Sequence, residues 1–369
     1  MKKRFSILII STVIIGLTLS LFGMALVSQT ASAERAQNSY RQPPKPISAA
    51  NVKVVKKIPL SLDMEETKGK PDGPPGKDKD NDSSNGAATG ILGEPLSEGA
   101  SKYAIVIGIC DYPGDANDLC ASDGDSLNMY KALTEFYGYA DENIYLLRDT
   151  YPITDNMPTD GPATFNEIED AILNQIKPNA GPKDEVVFFF SGHGGWPLDE
   201  NDNPIDVYPY DEADGRDELI VVHDGDKTVG ISDDMLVGWF SDFATTRIIF
   251  IFDTCLAGGM NDLADEKSSE NGRVVVMSTE ENRSAYVYST GGSDIDGDGI
   301  EDGEGVFSRL FVNKGMLQGL ADGYNQLKIT DEKVVVEEAF DYAKKNIPGF
   351  LKRKQKPVIS DNFDDDLLL

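Results

Sequence analysis

One cysteine and one histidine stand where a thiol and an imidazole could form a catalytic pair. Cys255 follows the apolar run "IIFIFDT", and His193 follows the apolar run "VVFFFSG". A nucleophilic thiol needs a base within hydrogen-bond reach, and the chain contains only two histidines. The other, His223 in "IVVHDGDK", has the sequence context of a hairpin or turn. We therefore predict that Cys255 and His193 form a dyad, although a lone buried cysteine is more often structural.

The elements that must position this pair are strands alternating with helices. Continuous apolar runs, which are typical of strands buried on both faces, occupy residues 103–109, 144–147, 186–190, 248–252 and 274–277. Helix start signals lie between them: Ser122 with Asp125, Thr164 with Glu167, and Ser232 before two aspartates. This alternation predicts an α/β fold of three layers, with a mainly parallel central sheet and helices on both faces.

Both candidate residues follow strands of this predicted sheet. In open α/β sheets, ligands bind beyond the carboxyl ends of the strands. Cys255 and His193 fall at such ends, so the fold can bring them together although they are 62 positions apart. Glycines beside each of them leave room for a substrate backbone and for main-chain N–H groups that stabilise an oxyanion.

The composition excludes some partners. The 369 residues carry a formal net charge of −29, which argues against nucleic acid or an anionic membrane surface as the main partner. Three interpretations of the acidity remain open: a solvated surface, calcium sites, or a pocket for basic substrates.

Changes in amino-acid composition divide the chain into four segments. Residues 1–33 are predicted to be a signal peptide or membrane anchor, because basic residues precede a long apolar stretch and "ASA" fits a cleavage site. Residues 34–98 are predicted to be a disordered linker or pro-segment, in which only 52–62 might form a strand or dock. Residues 99–361 form the main domain, and 362–369 an acidic tail. Outside the cytoplasm Cys110 and Cys120 can pair; two buried thiols are the alternative.

Several motifs together resemble a known family. "FFFSGHGG", "IFIFDTCLAGG", "LCASDGDSL", "DEADGRDELIVVHD", "GVFSRLF" and "KQKPVIS" occur in the order found in caspase-like cysteine peptidases, closest to the metacaspases and their prokaryotic relatives. The resemblance covers residues 102 to about 360 and implies the caspase-like form of the three-layer fold. Two departures are Cys-Leu-Ala-Gly in place of the usual Cys-His-Ser-Gly, and the absence of the Gln-Ala-Cys signature of true caspases.

The resemblance assigns roles to individual residues. Cys255 is the nucleophile of a thiol protease and His193 its base, and the backbone N–H groups of Gly194 and Cys255 form the oxyanion hole. The pocket for the side chain just before the cut is assigned to Asp123, Ser191 and Asp253. Two carboxylates in a small pocket suit Arg or Lys.

Calcium is the expected cofactor, and no organic cofactor is expected. The resemblance offers a first set of ligands, Asp217, Asp233, Asp234 and Asp262. A second set, Asp294, Asp296, Asp298 and Asp302 in "DIDGDGIED", follows a calcium-loop spacing. The alternatives are a solvated acidic surface for the first set and a flexible acidic loop for the second.

The sequence thus predicts an exported cysteine endopeptidase that is calcium-activated and cuts protein or peptide substrates after Arg or Lys. It would be secreted or anchored at the extracytoplasmic membrane face, with membrane contact only through the N-terminal segment. Self-cleavage at Lys267, Arg273 or lysines of the linker is a further expectation. The alternatives are a legumain-like or clostripain-like peptidase of the same superfamily, and an inactive calcium-binding surface protein.

Overall fold

The apolar runs of the sequence become the strands of three sheets. The computed structural model describes residues 45–61, 86–114, 117–149, 158–265, 272–289 and 303–369. Within these ranges the strands are β1 (Val52–Val55), β2 (Ile58–Ser61), β3 (Lys102–Ile109), β4 (Ile144–Asp149), β5 (Glu185–Ser191), β6 (Gly194–Pro197), β7 (Leu219–His223), β8 (Thr228–Ser232), β9 (Ile248–Asp253), β10 (Val274–Met277), β11 (Tyr286–Ser289), β12 (Glu304–Gly305) and β13 (Val358–Asp361).

Helices lie between these strands. They are α1 (Ala121–Glu135), α2 (Phe165–Asp170), α3 (Asp233–Phe240), α4 (Asp262–Asp265), α5 (Val306–Ser308) and α6 (Val336–Asn346). Two of them continue as π-helix, α2 over Ala171–Ile176 and α5 over Arg309–Leu317. Short 3₁₀ turns cover Ala49–Asn51, Asp141–Asn143 and Ala257–Asn261.

The central sheet confirms the predicted α/β class. Its strand order is β13-β10-β9-β5-β3-β4, and every pair is parallel except β10 with β13 at one edge. Each residue of β5, β9 and β10 is buried. Burial on both faces explains why these segments are continuously apolar rather than alternating.

Helices cover both faces of this sheet. On one face α2 and α3 pack against it, and Phe240 of α3 contacts Phe188 and Phe250 edge-on. On the other face lie α1, the π-helix after α5, and α6, with Met129, Phe311 and Phe340 in the core. These are the three layers predicted from the sequence, in the arrangement of a caspase-like fold.

The helix starts agree with the sequence in two cases of three. The Thr164 hydroxyl accepts the N–H of Glu167 at 3.3 Å, and the Ser232 hydroxyl accepts the N–H of Met235 at 3.2 Å. The predicted cap at Ser122 is wrong. Helix α1 already begins at Ala121, and the structure shows no capping bond from a side chain there.

The two smaller sheets begin where central strands end. A four-stranded antiparallel sheet has the order β1-β6-β7-β8, and its strand β6 starts directly after His193. A three-stranded sheet has the order β12-β11-β2, with β2 parallel to β11. Strands β1 and β2 therefore add residues 52–61 to the folded unit that runs from Pro46 to Leu369, as the docking expectation for 52–62 proposed.

The predicted boundaries at residues 98 and 362 differ from the structure. Thr89 and Gly90 donate backbone N–H groups to the Asp366 carboxylate at 2.7 Å each, and the Thr89 hydroxyl donates to it at 2.9 Å. Leu367 and Leu369 are buried. The end of the expected linker is thus hydrogen-bonded to the expected tail. The tail itself belongs to the folded domain, because these two leucines are buried although acidic residues precede them.

Residues 1–33, the predicted signal or anchor, lie outside the described residues. In the part of the chain that is described, we find no helix with the length and apolar character needed to cross a bilayer.

We expect Asp366→Ala to destabilise the fold. The substitution leaves three donors from Thr89 and Gly90 without their acceptor, and the loss of a partner for a buried polar group costs about 1–3 kcal/mol. Thr89 and Gly90 are half-buried, so water can replace part of what the donors lose. A loss of about 2 kcal/mol in the free energy of unfolding should be seen by urea denaturation. The exposed neighbour Asp364→Ala is the control and should change stability by less than about 0.5 kcal/mol. Equal effects of the two substitutions would contradict this role.

Candidate active site

The register of two parallel strands brings the predicted dyad segments together. Strands β5 and β9 are neighbours, with Ser191 opposite Asp253. His193 and Cys255 each lie two residues beyond this pair, so both emerge at the same edge of the sheet. Between them, a Cβ at Gly194 would collide with the carbonyl oxygen of Cys255. Glycine at this position is what allows the two strand ends to touch.

His193 is held from three sides. Its backbone N–H donates to the hydroxyl of Tyr112 at 2.9 Å, and the Tyr112 ring stacks on the imidazole at 4.8 Å between centroids. Its Nε2 lies 2.8 Å from the carbonyl oxygen of Asn117, so the proton belongs on Nε2. Its Nδ1 accepts the backbone N–H of Lys57 at 3.3 Å. Burial lowers the pKa of His193 to about 4, and the imidazole is neutral at pH 7.

Cys255 is buried in a small apolar cluster with Leu256 and Ala285. Its Sγ accepts the backbone N–H of Ala285 at 3.2 Å. Burial raises the pKa of the Cys255 thiol to about 11, so the protonated form dominates at neutral pH. In this state the thiol and the imidazole are both uncharged.

A disulfide fixes the loop that orients the histidine. Cys110, just after β3, is joined to Cys120, the residue before α1, which settles the open question about this pair. Asn117, whose carbonyl oxygen faces His193, lies inside the loop closed by this bond. Neither Asn117 nor Tyr112 was a sequence candidate, because a backbone carbonyl and a stacking ring carry no motif of their own.

A buried acidic pocket lies beside the dyad. Asp253 accepts the backbone N–H and the hydroxyl of Ser308 at 3.0 and 2.7 Å. The Ser191 hydroxyl donates to Asp125 at 2.7 Å, and the N–H of Gly305 donates to the same carboxylate at 3.0 Å. Burial raises the pKa of Asp125 to about 8. Two of the three predicted pocket residues, Ser191 and Asp253, are therefore brought together, with Asp125 as the second acid.

The third predicted pocket residue, Asp123, is engaged elsewhere. Arg148 at the end of β4 binds both of its oxygens, Nε to Oδ1 at 2.7 Å and Nη2 to Oδ2 at 2.6 Å. Asp123 and Asp125 both lie near the start of α1 but face different neighbours. The acid that joins Ser191 and Asp253 is Asp125, and a role of Asp123 in substrate binding stays a prediction.

A lysine of the N-terminal segment fills the acidic pocket. The Nζ of Lys57 lies 3.1 Å from Asp253 Oδ1 and 3.9 Å from Asp125 Oδ2, and it donates to the Ser191 hydroxyl at 3.0 Å. Only 3% of Lys57 is exposed. The Lys57 ammonium thus contacts the same residues that we expect to bind a basic side chain of the substrate. No sequence motif predicted this role of Lys57.

A second acidic cluster lies where β7 begins and β8 ends. Carboxylate oxygens of Glu212, Asp217 and Asp233 come within 4.8 Å of one another. Burial and the charge of Asp217 hold the pKa of Asp233 well above its usual range, and burial raises the pKa of Asp234 to about 8. The acidic charge of Asp262 on α4 acts on both Glu212 and Asp234. The four acids of the first predicted calcium set are therefore neighbours, and Glu212 joins them.

The remaining predicted residues have these placements. Asp294, Asp296, Asp298 and Asp302 lie outside the described residues, as does Lys267. His223 accepts the N–H of Gly225 within its own turn at 3.1 Å, in agreement with its structural role. Arg273 is buried and donates to the carbonyls of Leu263 and Phe240, and self-cleavage there stays a prediction. The backbone N–H groups of Gly194 and Cys255 stay a prediction as the oxyanion hole.

Comparison with known proteins gives one consistent family. A family model described as "Metacaspase, peptidase C14 domain" matches residues 102–264. Metacaspase-1 of Kluyveromyces lactis is 35% identical over 164 residues, which are 44% of this chain and 34% of that protein. Metacaspase-1 of Candida albicans is 34% identical over the same shares. Metacaspase-4 of Arabidopsis thaliana is 33% identical over 177 residues, 46% of this chain and 37% of that protein. The chain spans about a third of the length of these relatives.

We expect Cys255 to react slowly with iodoacetamide at neutral pH. Because the thiol pKa is raised to about 11, the thiolate fraction and the labelling rate should increase about tenfold per pH unit between pH 7 and 9. Mass spectrometry measures the rate, and Cys255→Ala provides the unlabelled control. A labelling rate that levels off near pH 7 would instead show a thiolate paired with His193.

Proposed function

We propose that this chain is an exported cysteine endopeptidase of the metacaspase family that cuts after Arg or Lys. The metacaspase family model matches residues 102–264, and the metacaspases of Kluyveromyces lactis and Arabidopsis thaliana are 35% and 33% identical over the matched residues. The observation that carries the proposal is the acidic pocket beside Cys255 and His193, which already accommodates a lysine ammonium. The contacts of Lys57 with Asp253, Asp125 and Ser191 supply the chemistry that a basic substrate side chain requires.

In the proposed reaction, Cys255 is the nucleophile and His193 the base. The Cys255 thiol gives its proton to Nδ1 of His193, and the thiolate attacks the scissile carbonyl carbon. The imidazolium then protonates the leaving amine, a thioester remains on Cys255, and water hydrolyses it. The Nε2–H bond to Asn117 keeps Nδ1 as the accepting nitrogen. Since Nδ1 now accepts the N–H of Lys57, the reaction requires this contact to be replaced.

The pocket supports basic specificity over the alternatives. A carboxylate side chain of a substrate would meet the buried carboxylate of Asp253, and the two like charges would repel each other. An asparagine, as in legumain-like cleavage, would leave Asp253 without a cation in a buried site, which is unfavourable. Arg suits the pocket best where both acids can be reached, because its guanidinium presents several donors in one plane.

We expect Cys255→Ala and His193→Ala each to abolish hydrolysis of fluorogenic peptides that end in Arg or Lys, while circular dichroism shows an intact fold. His223→Ala should retain at least half of the activity, because its Nδ1 accepts an N–H group of its own turn. The panel also includes peptides ending in Asn and Asp, for which kcat/KM should be lower by about a hundredfold or more. Full activity without Cys255 or His193 would refute the dyad, and preferred cleavage after Asp or Asn would refute the pocket.

We also propose that calcium binds Glu212, Asp217, Asp233, Asp234 and Asp262 and activates the enzyme. Calcium takes about six to eight oxygen ligands, chiefly carboxylates and carbonyls. Asp217 and Asp233 are buried, which disfavours the interpretation of this cluster as a solvated surface. Buried carboxylate oxygens of Asp217, Asp233 and Asp234 have no hydrogen-bond donor, so the donor set suits a hard cation. Calcium would supply charge neutralisation and order.

The cluster is connected to the nucleophile by a short path. Asp262 begins α4, which directly follows the 3₁₀ turn Ala257–Asn261, and that turn begins two residues after Cys255. Glu218, next to Asp217, accepts the indole N–H of Trp196 on β6 at 3.3 Å. Calcium that fixes these acids would therefore also restrict the segments that follow Cys255 and His193.

We expect calcium to raise the melting temperature of chelator-treated protein and its peptidase activity together. Binding at a hundredfold excess over Kd adds about 2.7 kcal/mol to the free energy of unfolding. Asp233→Asn should remove most of this gain, whereas Asp242→Asn, an exposed acid on the segment after α3, should keep it. Calcium titration followed by differential scanning fluorimetry and peptide hydrolysis tests the claim. Activity that is indifferent to chelation would defeat it.

Export is supported by the N-terminal sequence and by the disulfide. Bonds such as Cys110–Cys120 persist in oxidising compartments outside the cytoplasm. Basic residues before an apolar stretch are typical of an export signal. We propose that the enzyme is secreted or anchored at the extracytoplasmic face of the membrane, where calcium and protein substrates are available.

A further inference from the structure

Residues 46–61, here called the strap, lie across the proposed catalytic cleft. Strand β1 pairs antiparallel with β6, and Val55 stands opposite Gly194. Strand β2 pairs parallel with β11, and Ile58 stands opposite Tyr286. Only Lys56 and Lys57 separate the two strap strands. The strap therefore passes from the strand that follows His193 to the strand that follows Ala285, the contact of Cys255.

The strap contacts each part of the proposed machinery. The N–H of Lys57 donates to Nδ1 of His193 at 3.3 Å, the nitrogen that must receive the thiol proton. Val55 packs against the cluster that contains Cys255. The Lys57 ammonium occupies the acidic pocket with Asp253. Base, nucleophile and specificity pocket are thus covered by two residues of one segment, Val55 and Lys57.

The backbone of the strap runs in a direction that does not allow cleavage after Lys57. For cleavage after Lys57, the imidazole must protonate the leaving nitrogen, which is the backbone nitrogen of Ile58. Here the N–H of Ile58 donates instead to the carbonyl oxygen of Ala285 at 3.0 Å. His193 contacts the nitrogen on the other side of Lys57. The strap presents a basic side chain to the pocket but does not present the following bond to the general acid.

We infer that the strap is a built-in competitive inhibitor in which Lys57 occupies the pocket in place of a substrate Arg or Lys, and that it must leave the cleft before a substrate can bind. The inference rests on the proposed function, because it assigns regulation to the same site. An inhibitor tethered to its site acts at a high effective concentration. The kcat/KM of the full chain is therefore that of the open enzyme multiplied by the fraction of molecules whose strap is displaced.

The test compares Lys57→Ala with Lys56→Ala in the full chain. Lys56 is the neighbouring strap lysine with an exposed side chain, so its removal changes the segment charge equally without emptying the pocket. We expect Lys57→Ala to raise kcat/KM for an Arg peptide at least tenfold, and Lys56→Ala to change it less than twofold. Lys57→Met, which keeps the side-chain length without the charge, guards against a folding defect and should also activate.

Two further readouts make the outcomes distinct. A synthetic peptide of residues 46–61 added to the Lys57→Ala variant should inhibit it competitively, and the same peptide with alanine at position 57 should not. Iodoacetamide labelling of Cys255 should be at least tenfold faster in Lys57→Ala than in the unmodified chain. If labelling accelerates but no variant hydrolyses any peptide, the peptidase proposal fails and the strap is upheld as a cover of the cleft.

Other results would overturn the inference. An active unmodified chain whose kcat/KM and labelling rate are unchanged in Lys57→Ala would show that the strap does not restrict access. Cleavage after Lys57 in the unmodified chain, absent in Cys255→Ala and detected by intact mass, would show that the strap is a substrate rather than an inhibitor.

Discussion

The ion pair between Lys57 and Asp253 is the interaction on which the arrangement of the cleft depends. Both side chains are buried, and a buried carboxylate without a partner is strongly unfavourable. Asp253 is paired with the Lys57 ammonium and accepts the Ser308 hydroxyl. The neighbouring Asp125 accepts the Ser191 hydroxyl and the Gly305 N–H. Those donors come from β5, α5 and β12, so elements far apart in the sequence converge where the charge must be balanced.

Strand register explains why this pocket and the dyad share one edge of the sheet. Ser191 and Asp253 are opposite one another in β5 and β9, and each strand continues two residues further to His193 or Cys255. A shift of register by one residue would turn every side chain of β9 to the other face. The buried phenylalanines of β5 and β9 therefore fix the position of the catalytic candidates as well as the core.

The sequence predicted what local patterns encode and missed what distant contacts decide. The strand ends carrying Cys255 and His193 followed from apolar runs, and the helix start at Ser232 followed from its capping chemistry. Which of Asp123 and Asp125 lies in the pocket did not follow from the sequence. Both lie near the start of α1, and Arg148 on β4 pairs with Asp123. Lys57 lies 196 positions before Asp253, and the pairing of β2 with β11 that brings it there has no local signal.

Part of the excess of acidic residues in the chain lies in two buried clusters. In the pocket, an internal cation already balances the charge. In the cluster of Glu212, Asp217 and Asp233, the residues that the structure describes include carboxylate oxygens without donors. The charge of the acidic pocket is thus balanced only while the strap is in place. Within the described part of the chain, the carboxylates of the second cluster are not balanced in this way. A state in which a basic side chain of a substrate replaces Lys57 and a divalent cation joins the second cluster would satisfy both. To reach that state, the strap must leave the cleft.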